Sequence, residues 1–247
     1  FLAVSGEITS NATVDVEKTA REVIKEVSSR GKIPVIVGGT GLYISSLLQN
    51  TEYIEEETDL ELRKKLENEF ETLGGEEMLN KLRTIDEETA NRLHPNDKKR
   101  IVRAFEVYYS TGKTITEQNI LSHKEESQFD ALILGITYND REKIYERINL
   151  RVDLMLENGL LEEAESTYQI KNKSGAFQAI GHKELYPFFS GEITLEEATE
   201  SLKQQTRRYA KRQLTWFRRN EDINWIFADE CESVFLEAHK LIEDFLK

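Results

Sequence analysis

Apolar positions recur at helical spacing from Asp15 to Arg30, where Val16, Ala20, Val23, Ile24 and Val27 share one face. The pattern predicts a helix that Gly31 stops. It changes abruptly at Ile33-Pro34-Val35-Ile36-Val37, a short β-branched run that reads as a buried parallel strand. Gly38-Gly39-Thr40-Gly41 then turns the chain directly into a second helix, Leu42 to Leu48. Helix, strand, glycine turn and helix is the rhythm of an α/β protein with a parallel sheet.

From residue 51 to 123 the strand pattern is absent. Leu60, Leu66, Phe70, Met78, Leu79, Leu82, Ile85 and the run Arg100 to Tyr109 predict short amphipathic helices, so this stretch reads as an all-helical insertion. Ala131-Leu132-Ile133-Leu134-Gly135-Ile136 restores the sheet with another buried strand. Helices follow, broken at Gly159, Gly181 and Gly191, and Asn224 to Phe227 reads as a last short strand before a C-terminal helix. The expected domains are therefore an α/β core from residues 1–50 and 124–247, and a helical insertion from 51–123. Phe1 to Val4 also reads as a strand, yet Ser5-Gly6-Glu7-Ile8 follows with no room for a loop and helix, and no Met opens the chain. The expectation is that these residues are pieces of a longer protein.

Composition bounds the rest. With 247 residues, 38% hydrophobic and 32% charged, the chain can bury a proper core and is neither disordered nor collagen-like. No window approaches the apolar length of a membrane span, and the single Cys231 cannot form an internal disulfide, which makes the cytoplasm the expected compartment. No Cys/His set has zinc-ligand spacing.

A net charge of −13 argues against a nucleic-acid binder until the distribution is considered. Glu55, Glu56, Glu57, Asp59 and Glu61 make one end of the insertion acidic, whereas Lys98, Lys99, Arg100 and Arg103 make its other end basic. Ser201 to Asn220 holds Lys203, Arg207, Arg208, Lys211, Arg212, Arg218 and Arg219 with no acid. A charge run is ordinarily a solvated face. A one-sided run interleaved with Tyr209, Trp216 and Phe217 points instead to a surface that contacts phosphates.

Gly38-Gly39-Thr40-Gly41-Leu42-Tyr43 lies between an expected strand and a helix, where open α/β sheets collect ligands. A helix N-terminus there offers free N–H groups to phosphate, the glycines permit close approach, and Thr40 adds a hydroxyl. A purely structural turn fits the same residues equally well. Arg147 and Arg151, four apart, share a helix face and suit a paired clamp on diphosphate oxygens, with bridges to Glu146 or Asp153 as the competing reading. Arg208, Lys211, Arg212 and Thr215 follow a spacing of three and four, a stripe that can track an RNA backbone. Trp216 and Phe217 read as core anchors of that helix rather than base-stacking platforms. His94 reads as the start of a helix beside Pro95.

Five runs in order carry a family resemblance. Pro34 to Leu48, with GGTGLY at its centre, resembles the strand–turn–helix signature of the bacterial tRNA dimethylallyltransferases. His94-Pro95-Asn96-Asp97 through Tyr108, ending in Thr111-Gly112-Lys113, resembles their insertion motif, and Arg147 to Leu160 resembles the helix after the second strand. Gln178-Ala179-Ile180-Gly181-His182-Lys183-Glu184 is similar to a motif that usually has Tyr where His182 stands. Thr206 to Phe217 resembles the tRNA-contacting helix.

The resemblance implies a P-loop-type three-layer core with a parallel sheet, related to nucleotide kinases, plus the helical insertion. It implies transfer of the dimethylallyl group of dimethylallyl diphosphate to N6 of the adenosine just 3′ of the anticodon in tRNA. Diphosphate leaves with the help of Mg2+, and the protein acts as a monomer. Thr40 and Arg147 take catalytic roles. Gly38, Gly39, Tyr43 and Arg151 bind diphosphate, whereas Asn96, Lys98, Lys99, Arg100 and Arg103 grip the anticodon stem-loop. Gln178, Gly181, His182 and Lys183 line a tRNA-facing wall, although His182 also reads as an ordinary surface histidine. Arg208, Lys211, Arg212, Gln213 and Thr215 complete the tRNA surface.

Two family parts do not occur in these 247 residues. One is the GxxxxGK[ST] phosphate loop; the other is the Asp that follows Gly-Glu-Ile and acts as general base. Gly6-Glu7-Ile8 resembles the start of the second motif, but Thr9 and Ser10 follow it. A non-catalytic tRNA-binding relative therefore stands as one alternative. A kinase or prenyltransferase acting on free nucleotides is another, disfavoured because a small acceptor needs neither a helical insertion nor an acid-free basic helix.

Overall fold

The computed structural model describes residues 12–48, 59–122, 128–170 and 179–247. In chain order the elements are α1 (Ala12–Ser29), α2 (Gly41–Leu48), α3 (Leu60–Leu73), α4 (Gly75–Arg83), α5 (Glu87–Arg92), α6 (Lys98–Thr111) and α7 (Ile115–Ser122). Then follow β1 (Ile133–Thr137), α8 (Arg141–Glu157), α9 (Leu160–Tyr168), α10 (Tyr186–Phe189), α11 (Leu195–Phe217), β2 (Ile223–Phe227) and α12 (Val234–Phe245). The chain divides into two compact units, one built on Pro34–Ile44 and Asp130–Lys247, the other on Ser10–Ile33 and Ser45–Phe129.

In the second unit, α3 to α7 enclose a core of Leu66, Met78, Leu79, Leu82, Ile101, Val102 and Phe105. Local chemistry sets the helix ends. Asp59 caps α3 by accepting from the Glu61 and Leu62 amides at 2.9 and 3.0 Å. Asp86 caps α5 through the Thr89 amide at 3.0 Å and also accepts from the Thr116 amide (3.1 Å) and hydroxyl (2.6 Å), which fastens α7 to α5. Gly112 ends α6 in the left-handed region, φ +70°, and donates to Tyr108 O at 2.8 Å. In the same unit Arg21 of α1 pairs with Glu17 at 2.9 Å, donates to Leu47 O at 3.3 Å and sits over the Phe129 ring.

In the first unit, β1 and β2 form a parallel pair in which Ile133 faces Ile223 and Thr137 faces Phe227. Helices α8 to α11 bury Val152, Leu160, Ala164, Leu185, Ala198 and Leu202. α11 starts with a capping box in which Thr194 and Glu197 satisfy each other's amides. The architecture is thus a mixed one, mostly helical, with a small parallel sheet.

Three expectations need correction. Ile33 to Val37 joins no ladder among the described residues, and Val35 and Val37 are 77% and 75% exposed. A strand is made by its partners, and an apolar run specifies only the readiness to be one. The strand expected from Ala131 begins at Ile133 instead and is only half-buried, with Ile136 exposed. His94 does not start a helix: Pro95 and Asn96 lie in a turn, the Asn96 amide donates to His94 Nδ1 at 3.1 Å, and α6 begins at Lys98. The strand expected at Phe1 to Val4, and the Gly6-Glu7-Ile8 run, lie outside the described residues.

Candidate functional site

The glycine turn enters α2 as the spacing predicts. Thr40 O accepts from the Tyr43 and Ile44 amides at 3.1 and 3.4 Å, which places Thr40 at the cap of α2. Helix geometry leaves the Gly41 and Leu42 N–H groups without intrahelical partners. Gly38 and Thr40 are exposed, whereas Gly41 is buried. The burial comes from α11, which passes directly over the turn. Gln213 Nε2 donates to Gly39 O at 2.8 Å. A Cβ at Gly39 would overlap the Gln213 amide, and one at Gly41 would overlap the Trp216 indole. Trp216 covers the turn but remains 43% exposed, so it is less of a core anchor than its sequence context implies.

The strand ends supply the next part. β1 and β2 run parallel, and their carboxyl ends meet the start of α8. Ala228 N donates to Thr137 O at 2.8 Å, and the Asp229 carboxylate accepts from the Asn139 and Asp140 amides at 2.8 and 2.9 Å. Those two amides, with Lys143 nearby, hold the Asp229 carboxyl below its ordinary range. Asp140 in turn caps α8 through the Glu142 amide at 2.9 Å. Arg147, in the second turn of α8, is exposed and lies over the Tyr138 ring at 5.5 Å. Arg151 is exposed with no ion pair among the described residues, and neither the Glu146 nor the Asp153 bridge forms. Asp229 carries no sequence signal for this clamp, because its amide partners lie about ninety residues upstream.

α11 divides its cations between two tasks. Lys203 pairs with Asp153 at 2.6 Å, and Arg207 reaches Asn149 of α8 at 2.7 Å and Glu200 at 2.8 Å. These two hold α11 to α8. Arg208 and Lys211 are exposed and form no ion pair among the described residues. Arg212 is exposed over Tyr209 at 5.7 Å, and the Thr215 hydroxyl donates back to Lys211 O at 2.8 Å. The stripe of Arg208, Lys211, Arg212 and Thr215 is therefore an open face on a helix anchored by its other sides.

Near α10, Gly181 adopts φ +111° and donates its amide to the buried Glu184 carboxylate at 2.9 Å. Lys183 approaches the same carboxylate at 3.8 Å, and His182 Nε2 lies 3.2 Å from Glu163. Gln178 lies outside the described residues.

In the other unit, Asn96 and Lys99 are exposed at the start of α6. Lys98 pairs with Glu71 at 2.6 Å, Arg100 with Asp97 at 3.1 Å, and Arg103 approaches Glu106 at 3.8 Å. Basic residues in the first turn of α6 oppose the helix dipole, a local cost of the kind functional surfaces carry.

Among the described residues no three His, Cys, Asp or Glu side chains converge to hold a metal ion. No described residue is therefore assigned to Mg2+.

A glycine turn at the head of a helix, exposed arginines beside parallel strand ends and an open cationic helix face together make a candidate site for anionic groups. The chain belongs to the IPP transferase family, whose model matches residues 8–220. It is 43% identical over 238 residues to the tRNA dimethylallyltransferase of Caldanaerobacter subterraneus subsp. tengcongensis, covering 95% of this chain and 75% of the relative. The tRNA dimethylallyltransferase of Bacillus subtilis is 44% identical over 233 residues, 94% of this chain and 73% of the relative. Among solved structures, the full-length tRNA isopentenylpyrophosphate transferase of Bacillus halodurans matches with a TM-score of 0.64 and 36% identity, over 96% of this chain and 75% of that one. A eukaryotic dimethylallyltransferase acting on tRNA matches with a TM-score of 0.77 and 30% identity, over 98% of this chain and 63% of that one.

Proposed function

We propose that this protein transfers a dimethylallyl group to tRNA, and specifically from dimethylallyl diphosphate to N6 of the adenosine 3′ of the anticodon. The observation that carries the reading is α11, which presents Arg208, Lys211 and Arg212 on an open face and grips the GGTG turn with Gln213 and Trp216 on another. One helix thus joins a surface suited to an RNA backbone to a turn suited to a smaller anion.

In the reaction the bond between the allylic carbon and the diphosphate oxygen breaks as the bond to N6 forms, and N6 loses a proton. Negative charge grows on the leaving diphosphate. The turn's free amides, Thr40 and the Arg147 and Arg151 guanidiniums supply donors and positive charge for it, and such donors count most when fixed in advance. Arg147 is held over Tyr138, and the start of its helix is held by Asp229. Mg2+ bound with the diphosphate would offset part of the charge on the leaving group. Gly181, His182 and Lys183 form the wall against which tRNA rests. Helices α3 to α7, with Asn96, Lys98, Lys99, Arg100 and Arg103, form the insertion that grips the stem-loop. A P-loop-type core built on Pro34–Ile44 and Asp130–Lys247 is part of this reading, supported by the parallel β1–β2 pair and the turn into α2, whereas α1, expected in that core, groups with the helical unit. The protein works in the cytoplasm as a monomer; among the described residues no helix is long and apolar enough to cross a membrane.

The test is direct. Purified protein is incubated with dimethylallyl diphosphate and either an anticodon stem-loop or AMP, and the products are resolved by mass. Prenylated stem-loop is expected. Prenylated AMP with an untouched stem-loop overturns the tRNA assignment.

A further inference from the structure

Gln213 belongs to the helix proposed to meet RNA, yet its amide is turned inward to the backbone of the glycine turn. Gln213 Nε2 donates to Gly39 O at 2.8 Å. A carbonyl can only accept, so the amide presents its NH2 edge, and a side chain without that donor leaves the carbonyl unmet. The segment leading to this carbonyl, Pro34 to Val37, joins no ladder among the described residues. Gln213 therefore supplies a restraint that strand pairing does not.

The restraint reaches Thr40 through a rigid group. The Gly39 C=O and the Thr40 N–H belong to one planar peptide, in which the two bonds point in opposite directions when the peptide is trans. Cis peptides are absent among the described residues. Holding the carbonyl toward α11 thus aims the Thr40 N–H away from α11. On the other side of Thr40, its own carbonyl is engaged by the Tyr43 and Ile44 amides. Both peptides that flank the Thr40 Cα are fixed, one by α2 and one by Gln213.

We infer that Gln213 is a positioning residue for the transfer reaction: it acts through the Gly39–Thr40 peptide to aim the Thr40 N–H at the diphosphate. The inference rests on the proposed function, in which this turn faces the leaving group. Gln213 itself touches neither substrate.

Two substitutions test it. Gln213→Leu keeps the bulk and removes the donor. It is expected to lower kcat by about 10- to 100-fold, the scale of a small misplacement at a reacting centre. The stem-loop KM stays close to wild type, and the thermal midpoint falls by no more than the few degrees that loss of one hydrogen bond brings. Gln213→Glu repels the Gly39 carbonyl when ionised and donates to it when protonated, so the ratio of its kcat to that of wild type rises as pH falls. A purely structural role moves neither the kcat–KM split nor this ratio. An unchanged kcat in Gln213→Leu, a loss confined to the stem-loop KM, or a flat ratio across pH overturns the inference. Should the wild type fail to prenylate the stem-loop, the proposed function fails and the decision passes to binding of inorganic diphosphate measured by calorimetry. Weaker binding by Gln213→Leu then supports the positioning role, and equal binding overturns it.

Discussion

Gly41→Ala tests whether α11 packs on the glycine turn. Gly41 is buried, and its φ is outside the positive region, so its backbone suits alanine. What opposes the methyl group is the Trp216 indole, whose Cδ1, Nε1 and Cγ all lie within overlap distance of a Cβ there. An aromatic ring cannot swing aside as a chain end does, so the change is an overpacking, which costs about 1–3 kcal/mol. Restricting the unfolded chain returns about 0.4–1 kcal/mol. The net expectation is a loss of about 1–2 kcal/mol. Gly39→Ala is the control, because its Cβ meets only the mobile amide end of Gln213. Displacing that amide forfeits a hydrogen bond worth about 0.5–1.5 kcal/mol, which the unfolded-state gain nearly offsets. Urea unfolding followed by far-ultraviolet circular dichroism reads both, with the slope held constant between variants. In a Trp216→Ala background the penalty of Gly41→Ala should vanish, a coupling of about 1–3 kcal/mol. Equal stabilities of the two alanine variants, or a penalty that survives removal of Trp216, would refute the packing argument.

The division of labour on α11 and the Asp86 clamp each give a further expectation. Arg208→Ala with Lys211→Ala should reduce the salt dependence of stem-loop binding by about 1.4–1.8 in the log–log slope, two phosphate contacts' worth. Lys203→Ala with Arg207→Ala should leave that slope near wild type and lower the unfolding midpoint, because those cations are engaged by Asp153, Asn149 and Glu200. Fluorescence anisotropy over a salt series decides, and equal slope changes in the two pairs would sink the distinction. Burial pushes the Asp86 carboxyl up, but hydrogen bonds from Thr116 and Thr89 outweigh it and hold the group below its ordinary range. A depressed folded pKa gives stability that is present above the unfolded value, about 3.9, and is lost as pH falls through the folded one. Asp86→Asn should therefore cost about 1–3 kcal/mol near neutrality, and its gap from wild type should close in acid; a gap that persists at low pH contradicts the clamp.

Much of the fold follows from local pattern. α1, α2 and the helices of the middle region appear where apolar spacing places them, since a helix satisfies its own backbone and needs only one apolar face. Strands are less legible. Ile33 to Val37 and Ile133 to Thr137 carry similar β-branched and apolar runs, yet among the described residues only the second forms a ladder, with Ile223 to Phe227. Composition does not distinguish them, because the difference lies in a partner some ninety residues away along the chain.

The same logic explains the site. The run from Ser201 to Asn220 counts seven cations, but sequence cannot separate those that hold the helix from those that face outward. Arg207 and Arg208 are neighbours of identical type; Arg207 is engaged because Asn149, fifty-eight residues earlier, lies beneath it. The glycines behave alike. GGTG is legible as a turn, and its freedom of backbone angle is the reason that sequence suggests first. At Gly39 and Gly41 that freedom is unused, since neither has positive φ. Both are glycine because α11 arrives from 174 residues away and leaves no room for a side chain. The turn's shape is thus set jointly by two helices. A change in Gln213 or Trp216 is a change in the turn itself, although no residue of GGTG is altered.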